Sequence, residues 1–371
     1  MAPHAQDIID QDASDQSTPD KKSEDICVQI PDLFSSIMSV PLRINPHYFP
    51  TVRAPGYERI RTLFNKDAVW SAKNESVELG LLCSTWAPGA PAEALETLFD
   101  YNHWVFLFDD QFDEGHLSSS PHLAALEIQT HTSIMHAHPT PLTTPLHTLW
   151  SSICTRVRAS SPPAVYHRFC TLHTHYFTGL PLQLTTPLPT TVSSYLSFRL
   201  RTIGVLPAFP ISEYALGVNI PQHAYNHPSV QEIMHLSAEM VILVNDIASY
   251  KKDRVLGVGL NMICVMQKEG LSMQEAMDRM GAMLEGCYKR WYGALARMPV
   301  WGESVDGEVL RYVEICRDVA LGCLHWSFLT GRYLGMQGGE VRRTRRLWIS
   351  GKEDGEREEM GRLYDGIAIR D

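Results

Sequence analysis

SVQEIMHLSAEMVILVNDIASYKK, residues 229–252, reads as one long helix whose last turns change character. Its apolar pattern has the helical period and predicts a helix from about residue 228 to 251. The run VILV within it should be deeply buried, yet Asn245, Ser249 and Asp253 follow at once. These lie at i, i+4 and i+8, so all three face one direction over two turns. An amide oxygen, a hydroxyl and a carboxylate are all hard oxygen donors. Set at the end of a buried run, they are costly unless they coordinate something. The plain alternative is a helix C-terminal turn with ordinary polar residues. Lys252, beside Asp253, adds positive charge.

A second acidic cluster lies upstream. FLFDDQFDE, residues 106–114, packs four carboxylates into six positions directly after an apolar run. Asp109 and Asp113 are four residues apart and share a helix face, ~6 Å apart along the axis. Counting back along that face gives Phe106, Val105, Asn102 and Leu98, so acid at a mouth continues into an apolar wall. A divalent cation would make the crowding tolerable. Mg²⁺ takes oxygen ligands and is commonly held by one or two carboxylates together with substrate phosphates. Alone, the cluster reads equally well as a solvated helix end.

The rest of the chain is helical in pattern. Helices are predicted at 92–108, 121–136, 146–158, 163–179, 189–205, 272–297 and 307–334, divided by Pro- and Thr-rich loops. No alternation of strands and helices appears, so a parallel α/β sheet is not expected. The fold class read here is all-α, one domain of about ten helices with a bundle core. Residues 1–25 are polar and acidic and read as a disordered tail, residues 26–335 as the domain, and residues 336–371 as a charged C-terminal tail.

Of the 371 residues, 44% are hydrophobic and 20% charged, the balance of an ordinary globular chain. A net charge of -10 disfavours a nucleic-acid binder. The eight cysteines include no CxxC pair, which suits reduced thiols and a cytoplasmic location. No apolar run approaches the ~20 residues of a membrane span, and no secretory signal is evident.

Taken jointly, the two clusters resemble the metal motifs of class I terpene synthases. Asp109-Asp-Gln-Phe-Asp113 is similar to that family's aspartate-rich motif. Asn245, Ser249 and Asp253 are similar to its second motif, NDxxSxxxE, with Asp253 in place of the final Glu. Arg332-Tyr333 resembles the family's RY pair, and Arg199, 46 residues before Asn245, stands where the family places its diphosphate-sensing arginine. Thr202 would then be the linker residue and Ile203-Gly204 the helix break. The stretch Ile30-Pro-Asp-Leu-Phe with Asn45-Pro-His-Tyr48 resembles fungal sesquiterpene synthases, in particular the presilphiperfolan-8-beta-ol synthase group.

The resemblance implies the class I terpenoid synthase fold, a single-domain helical bundle around a central apolar cavity, and a prenyl diphosphate substrate, most readily farnesyl diphosphate. It implies three Mg²⁺ ions held by Asp109, Asp113, Asn245, Ser249 and Asp253, and a possible homodimer. It implies a diphosphate gripped by Arg199, Lys252, Arg332 and Tyr333, and a cyclic hydrocarbon or alcohol as product. Trp326, seven residues before Tyr333, should lie on the same helical face ~10 Å deeper and line the cavity with Phe106. Ordinary core packing is the competing reading for both rings. Alternative activities are chain elongation or cyclisation of geranylgeranyl diphosphate. The elongating enzymes usually carry two aspartate-rich motifs, and NDIASYKKD is not one. His131, His136 and His138 suggest zinc only weakly, since no cysteine is near. His325 reads as a core histidine.

Overall fold

The computed structural model describes residues 25–113 and 115–349. The tail expected at 1–25 falls almost wholly outside the described residues, as does the segment from 350.

Helices dominate, and the loops that divide them fall at Pro, Gly and Ser/Thr. Short helices come first: α1 (Arg53–Leu63), α2 (Ala68–Val77) and α3 (Leu79–Trp86). The long elements follow: α4 (Ala92–Asp113), α5 (Pro121–Met135), α6 (Pro145–Ser160), α7 (Pro163–Thr185) and α8 (Val192–Thr202). After them come α9 (Ala208–Leu216), α10 (Gln222–Tyr225), α11 (Pro228–Leu256), α12 (Met262–Lys268), α13 (Met273–Ala296), α14 (Glu303–Leu329) and α15 (Gly338–Thr344).

The boundaries have local causes. Proline occupies the first turn of α5, α6, α7 and α11, where its missing N–H is no loss. Capping boxes start α8, through Thr191 and Ser194, and α13, through Ser272 and Glu275. Helix α11 stops at Leu256, and its cap Gly257 has a φ of 71°, a conformation that favours glycine.

Helix α11 is the hub and packs against α13 and α14. Helix α3 fills the space between α4 and α14. The predicted apolar run is buried as expected, from Val241 at 6% exposure to Ile242 and Leu243 at 0%. Each such side chain contributes about 1.5–3 kcal/mol. The same core extends to Trp104 of α4, which stacks on Trp150 of α6 at 3.9 Å between ring centroids.

Two four-residue strands join the ends of the domain. β1 (Ile26–Gln29) pairs antiparallel with β2 (Arg346–Ile349), Ile26 opposite Ile349 and Gln29 opposite Arg346. The packed structure therefore extends beyond 335. Val341, Leu347 and Ile349 are buried, and the Arg342 guanidinium lies 4.1 Å from the Phe34 ring centroid. This part of the charged tail is anchored by its few apolar residues. Helix α14 stops at Leu329 rather than running to 334, so Arg332 and Tyr333 lie beyond its end.

Candidate active site

The long helices enclose a cavity of about 440 Å³, within the usual range for small-molecule sites. Asp109, Asp113, Asn245, Ser249, Asp253, Lys252, Arg199, Arg332, Tyr333, Trp326 and Phe106 all line it. The two oxygen-rich motifs, about 135 residues apart in sequence, thus face one hollow.

Direct contacts join the rims. Arg199, from the last turn of α8, places Nη2 3.4 Å from Asn245 Oδ1. Asn245 Nδ2 donates to the Tyr333 hydroxyl at 2.8 Å. Arg332 Nη2 lies 3.9 Å from Asp110 Oδ1, so α4 and the segment after α14 meet across the mouth. Arg201, two residues from Arg199, instead turns to Thr178 on α7. Helix α8 ends at Thr202, and Gly204 follows with a φ of 71°, the break read from the sequence.

Below the rim the wall is aromatic. Phe106 and Trp326 meet edge to face at 5.6 Å, as do Trp326 and Tyr333. The Arg332 guanidinium sits 5.4 Å from the Phe106 ring centroid. Trp326 Nε1 donates to Val77 O at 2.8 Å and to Glu78 O at 3.1 Å, which fixes the indole. The predicted depth of Trp326 needs correction. Because α14 ends at Leu329, the chain turns back and brings the Tyr333 ring onto Trp326 instead of leaving it two turns above. Asn102 and Leu98, placed on the same wall by helical counting, are buried in the core; Asn102 Nδ2 donates to Leu98 O. His325 packs edge to face on Phe34 at 5.2 Å.

Three residues that motif reading passed over support the rims. The Tyr176 hydroxyl on α7 donates to Asp109 Oδ1 at 2.6 Å, and its ring lines the cavity. The Tyr195 hydroxyl donates to Asp246 Oδ2 at 2.7 Å, and Asn261 Nδ2 donates to Asp253 Oδ2 at 3.0 Å. Asn261 carried one sequence signal, a capping residue just before the apolar run MICVM. The tyrosines carried none, since their partners are 67 and 51 residues away.

The donor set suits a hard divalent cation. Its oxygens come from carboxylates, an amide and a hydroxyl. Burial pushes the Asp109 carboxyl well above the usual carboxylate range, and repulsion from Asp113 adds to the shift. Burial likewise raises Asp253, whereas Asp246, raised to about 6, turns to the Tyr195 hydroxyl and Met262 N and lies outside the donor set. Cations among these groups would relieve both the repulsion and the lost hydration. Arg199 is also poised for an anion, for its Nε is buried without a hydrogen-bond partner among the described residues.

The histidines are arranged otherwise than their spacing suggested. His131 groups with Glu127 and His147, their ligand atoms within 4.8 Å of one another, while His136 and His138 are exposed. His147 Nε2 lies 3.2 Å from both Glu127 carboxylate oxygens, and His131 Nδ1 lies 3.0 Å from Glu127 O. Ordinary hydrogen bonds satisfy these atoms, while His131 Nε2 is buried without a hydrogen-bond partner among the described residues. None of the three lines the cavity.

Residues 100–290 match the family described as terpene synthase family 2, C-terminal metal binding. The chain is 40% identical over 343 residues to the (1R,4R,5S)-(-)-guaia-6,10(14)-diene synthase of Fusarium proliferatum, covering 87% of this chain and 85% of that one. It is 41% identical over 335 residues to the (+)-eremophilene synthase of Gibberella fujikuroi, covering 88% and 94%. Among solved structures, a linalool/nerolidol synthase from Streptomyces clavuligerus, in complex with 2-fluorogeranyl diphosphate, shares the fold. Its TM-score is 0.68 at 22% identity, covering 79% of this chain and 98% of that one. Among the described residues no helix is long and apolar enough to cross a membrane.

Proposed function

The chain belongs to the terpene synthase family, as a divalent-metal-using cyclase of prenyl diphosphates, and on that premise we propose that it is a Mg²⁺-dependent sesquiterpene cyclase acting on farnesyl diphosphate. The observation that carries this reading is the single cavity lined by both oxygen-rich motifs, by cationic donors and by an aromatic floor. The sesquiterpene synthases among its relatives favour the fifteen-carbon substrate.

Asp109 and Asp113 on one rim, and Asn245, Ser249 and Asp253 on the other, would hold the magnesium ions, three by family expectation. Bound there, magnesium supplies Lewis-acid neutralisation of the diphosphate. Arg199, Lys252 and Arg332 add cationic hydrogen bonds, and the two arginines suit a bidentate grip on phosphate oxygens. The Tyr333 oxygen accepts from Asn245, which leaves its own hydrogen to donate. These donors are aimed where charge grows as the allylic C–O bond breaks and its electron pair leaves with the diphosphate. No protein base is needed for that step.

The carbon half is then an allylic cation. Phe106, Trp326 and the Tyr176 ring keep it from water, and their faces attract a cation within ~6 Å. Cyclisation ends when a proton is lost or water adds, giving a hydrocarbon or an alcohol.

The test is incubation with Mg²⁺ and geranyl, farnesyl or geranylgeranyl diphosphate, with extracts resolved by gas chromatography and mass spectrometry. A fifteen-carbon cyclic product from farnesyl diphosphate supports the proposal. Turnover of geranylgeranyl diphosphate alone overturns the substrate assignment, and longer diphosphates overturn cyclisation.

A further inference from the structure

The second motif departs from its family pattern at Asp253, and the structure places a compensating group beside it. A final aspartate is one methylene shorter than a glutamate, so its carboxylate sits about 1.5 Å nearer the helix backbone. Asn261 faces that carboxylate from outside the motif. It is fully buried and caps α12, its Oδ1 accepting from Ile263 N at 3.0 Å. That cap turns the amide nitrogen back over the last turns of α11. Nδ2 donates to Asp246 O at 2.8 Å and to Asp253 Oδ2 at 3.0 Å, and lies 3.5 Å from Ser249 Oγ.

The Ser249 hydroxyl donates to the same Asp253 oxygen at 2.5 Å. A hydroxyl that gives its hydrogen away keeps its lone pairs for a cation. Asp253 Oδ2 thus receives two donors, which set the plane of the carboxylate. The anchor is rigid, because Met262 N donates to Asp246 Oδ2 at 2.9 Å and joins the start of α12 to α11 a second time. We infer that Asn261 is a positioning residue for the cation site of the second motif, setting the Asp253 carboxylate and Ser249 hydroxyl together. Groups of this outer kind are typically worth 10–100-fold in metal affinity. The inference rests on the reading of Asn245, Ser249 and Asp253 as metal ligands.

The variant Asn261→Ser separates positioning from folding. Serine keeps an N-cap acceptor for α12 and removes both amide donors. Titration calorimetry with inorganic diphosphate at fixed MgCl₂ is the readout, with thermal melts taken in metal-free buffer. The expected result is a loss of at least about tenfold in apparent diphosphate affinity, partly recovered by raising MgCl₂, in a protein that keeps its helical circular dichroism and a cooperative melt. Asn261→Asp, which keeps size and cap but opposes Asp253 with a second charge, should lose more. Wild-type affinity in a folded Asn261→Ser protein overturns the inference. So does failure of both variants to fold, which makes Asn261 a fold element. If the wild-type protein itself binds no diphosphate with Mg²⁺, the parent reading fails instead.

Discussion

The Tyr176 hydroxyl donates to Asp109 Oδ1 at 2.6 Å, so the first acid of the aspartate-rich motif is held by a helix that carries no part of either motif. The contact partly offsets the burial and the Asp113 repulsion that raise the Asp109 carboxyl. Tyr176 also packs beneath the helix break. A Cβ on Gly204 would lie 3.6 Å from its ring, and the φ of 71° there already favours glycine.

Tyr176→Phe keeps the ring and removes the donor. Turnover should fall about 10–100-fold with helical circular dichroism unchanged and the product mixture largely kept. Wild-type kcat/KM would show that Asp109 needs no such support.

Asp109→Ala should separate stability from activity. It removes a carboxylate that burial and Asp113 both oppose, so the melting temperature of the metal-free protein should hold or rise. Turnover should fall at least a hundredfold, an order of magnitude taken from the effects of ligand-supporting groups. A destabilised variant that stays active would reverse both expectations.

Trp326→Leu should act on product choice. The indole is wedged between Phe106 and Tyr333, in the floor rather than among the phosphate donors. Gas chromatography should show a changed product ratio, while the rate of diphosphate release changes less. An unchanged profile would remove Trp326 from the path of the cation.

Acid should weaken the fold through buried histidines. Burial lowers His103, His131 and His325 to about 4 and His173 to about 3, against 6.5 when unfolded. At these four sites the unfolded chain binds more protons between these values, so their contribution to stability is lost as pH falls below about 6.5. His173→Phe keeps a ring in the same aromatic cluster and removes one such group. It should narrow the difference in unfolding free energy between pH 7 and pH 5 by about 2 kcal/mol. Denaturant unfolding at both pH values checks this, and an equal difference in the variant would contradict it.

The long helices were legible because each buries a stripe, and a stripe has a period. Both oxygen-rich motifs were legible because their ligands lie within one helix at four-residue spacing. Helix α3 was not marked out, because it is buried on every side and carries no polar face. The return of Tyr333 onto Trp326 was missed because helical counting assumes that the helix continues. Tyr176, Tyr195 and Asn261 escaped because their roles depend on partners supplied by tertiary packing. The pairing of β1 with β2 brings together the two ends of the domain, and four residues give too little alternation to read.

The central claim is that two oxygen-rich rims grip one metal-loaded leaving group over an aromatic floor. A crystal structure with inorganic diphosphate and Mn²⁺ in place of Mg²⁺ tests it most directly, because anomalous scattering locates each cation. The account predicts cation peaks at Asp109 and at Asn245, Ser249 and Asp253, sharing one diphosphate that also contacts Arg199 and Arg332. Cations bound away from these oxygens, or a diphosphate outside the cavity, would contradict it.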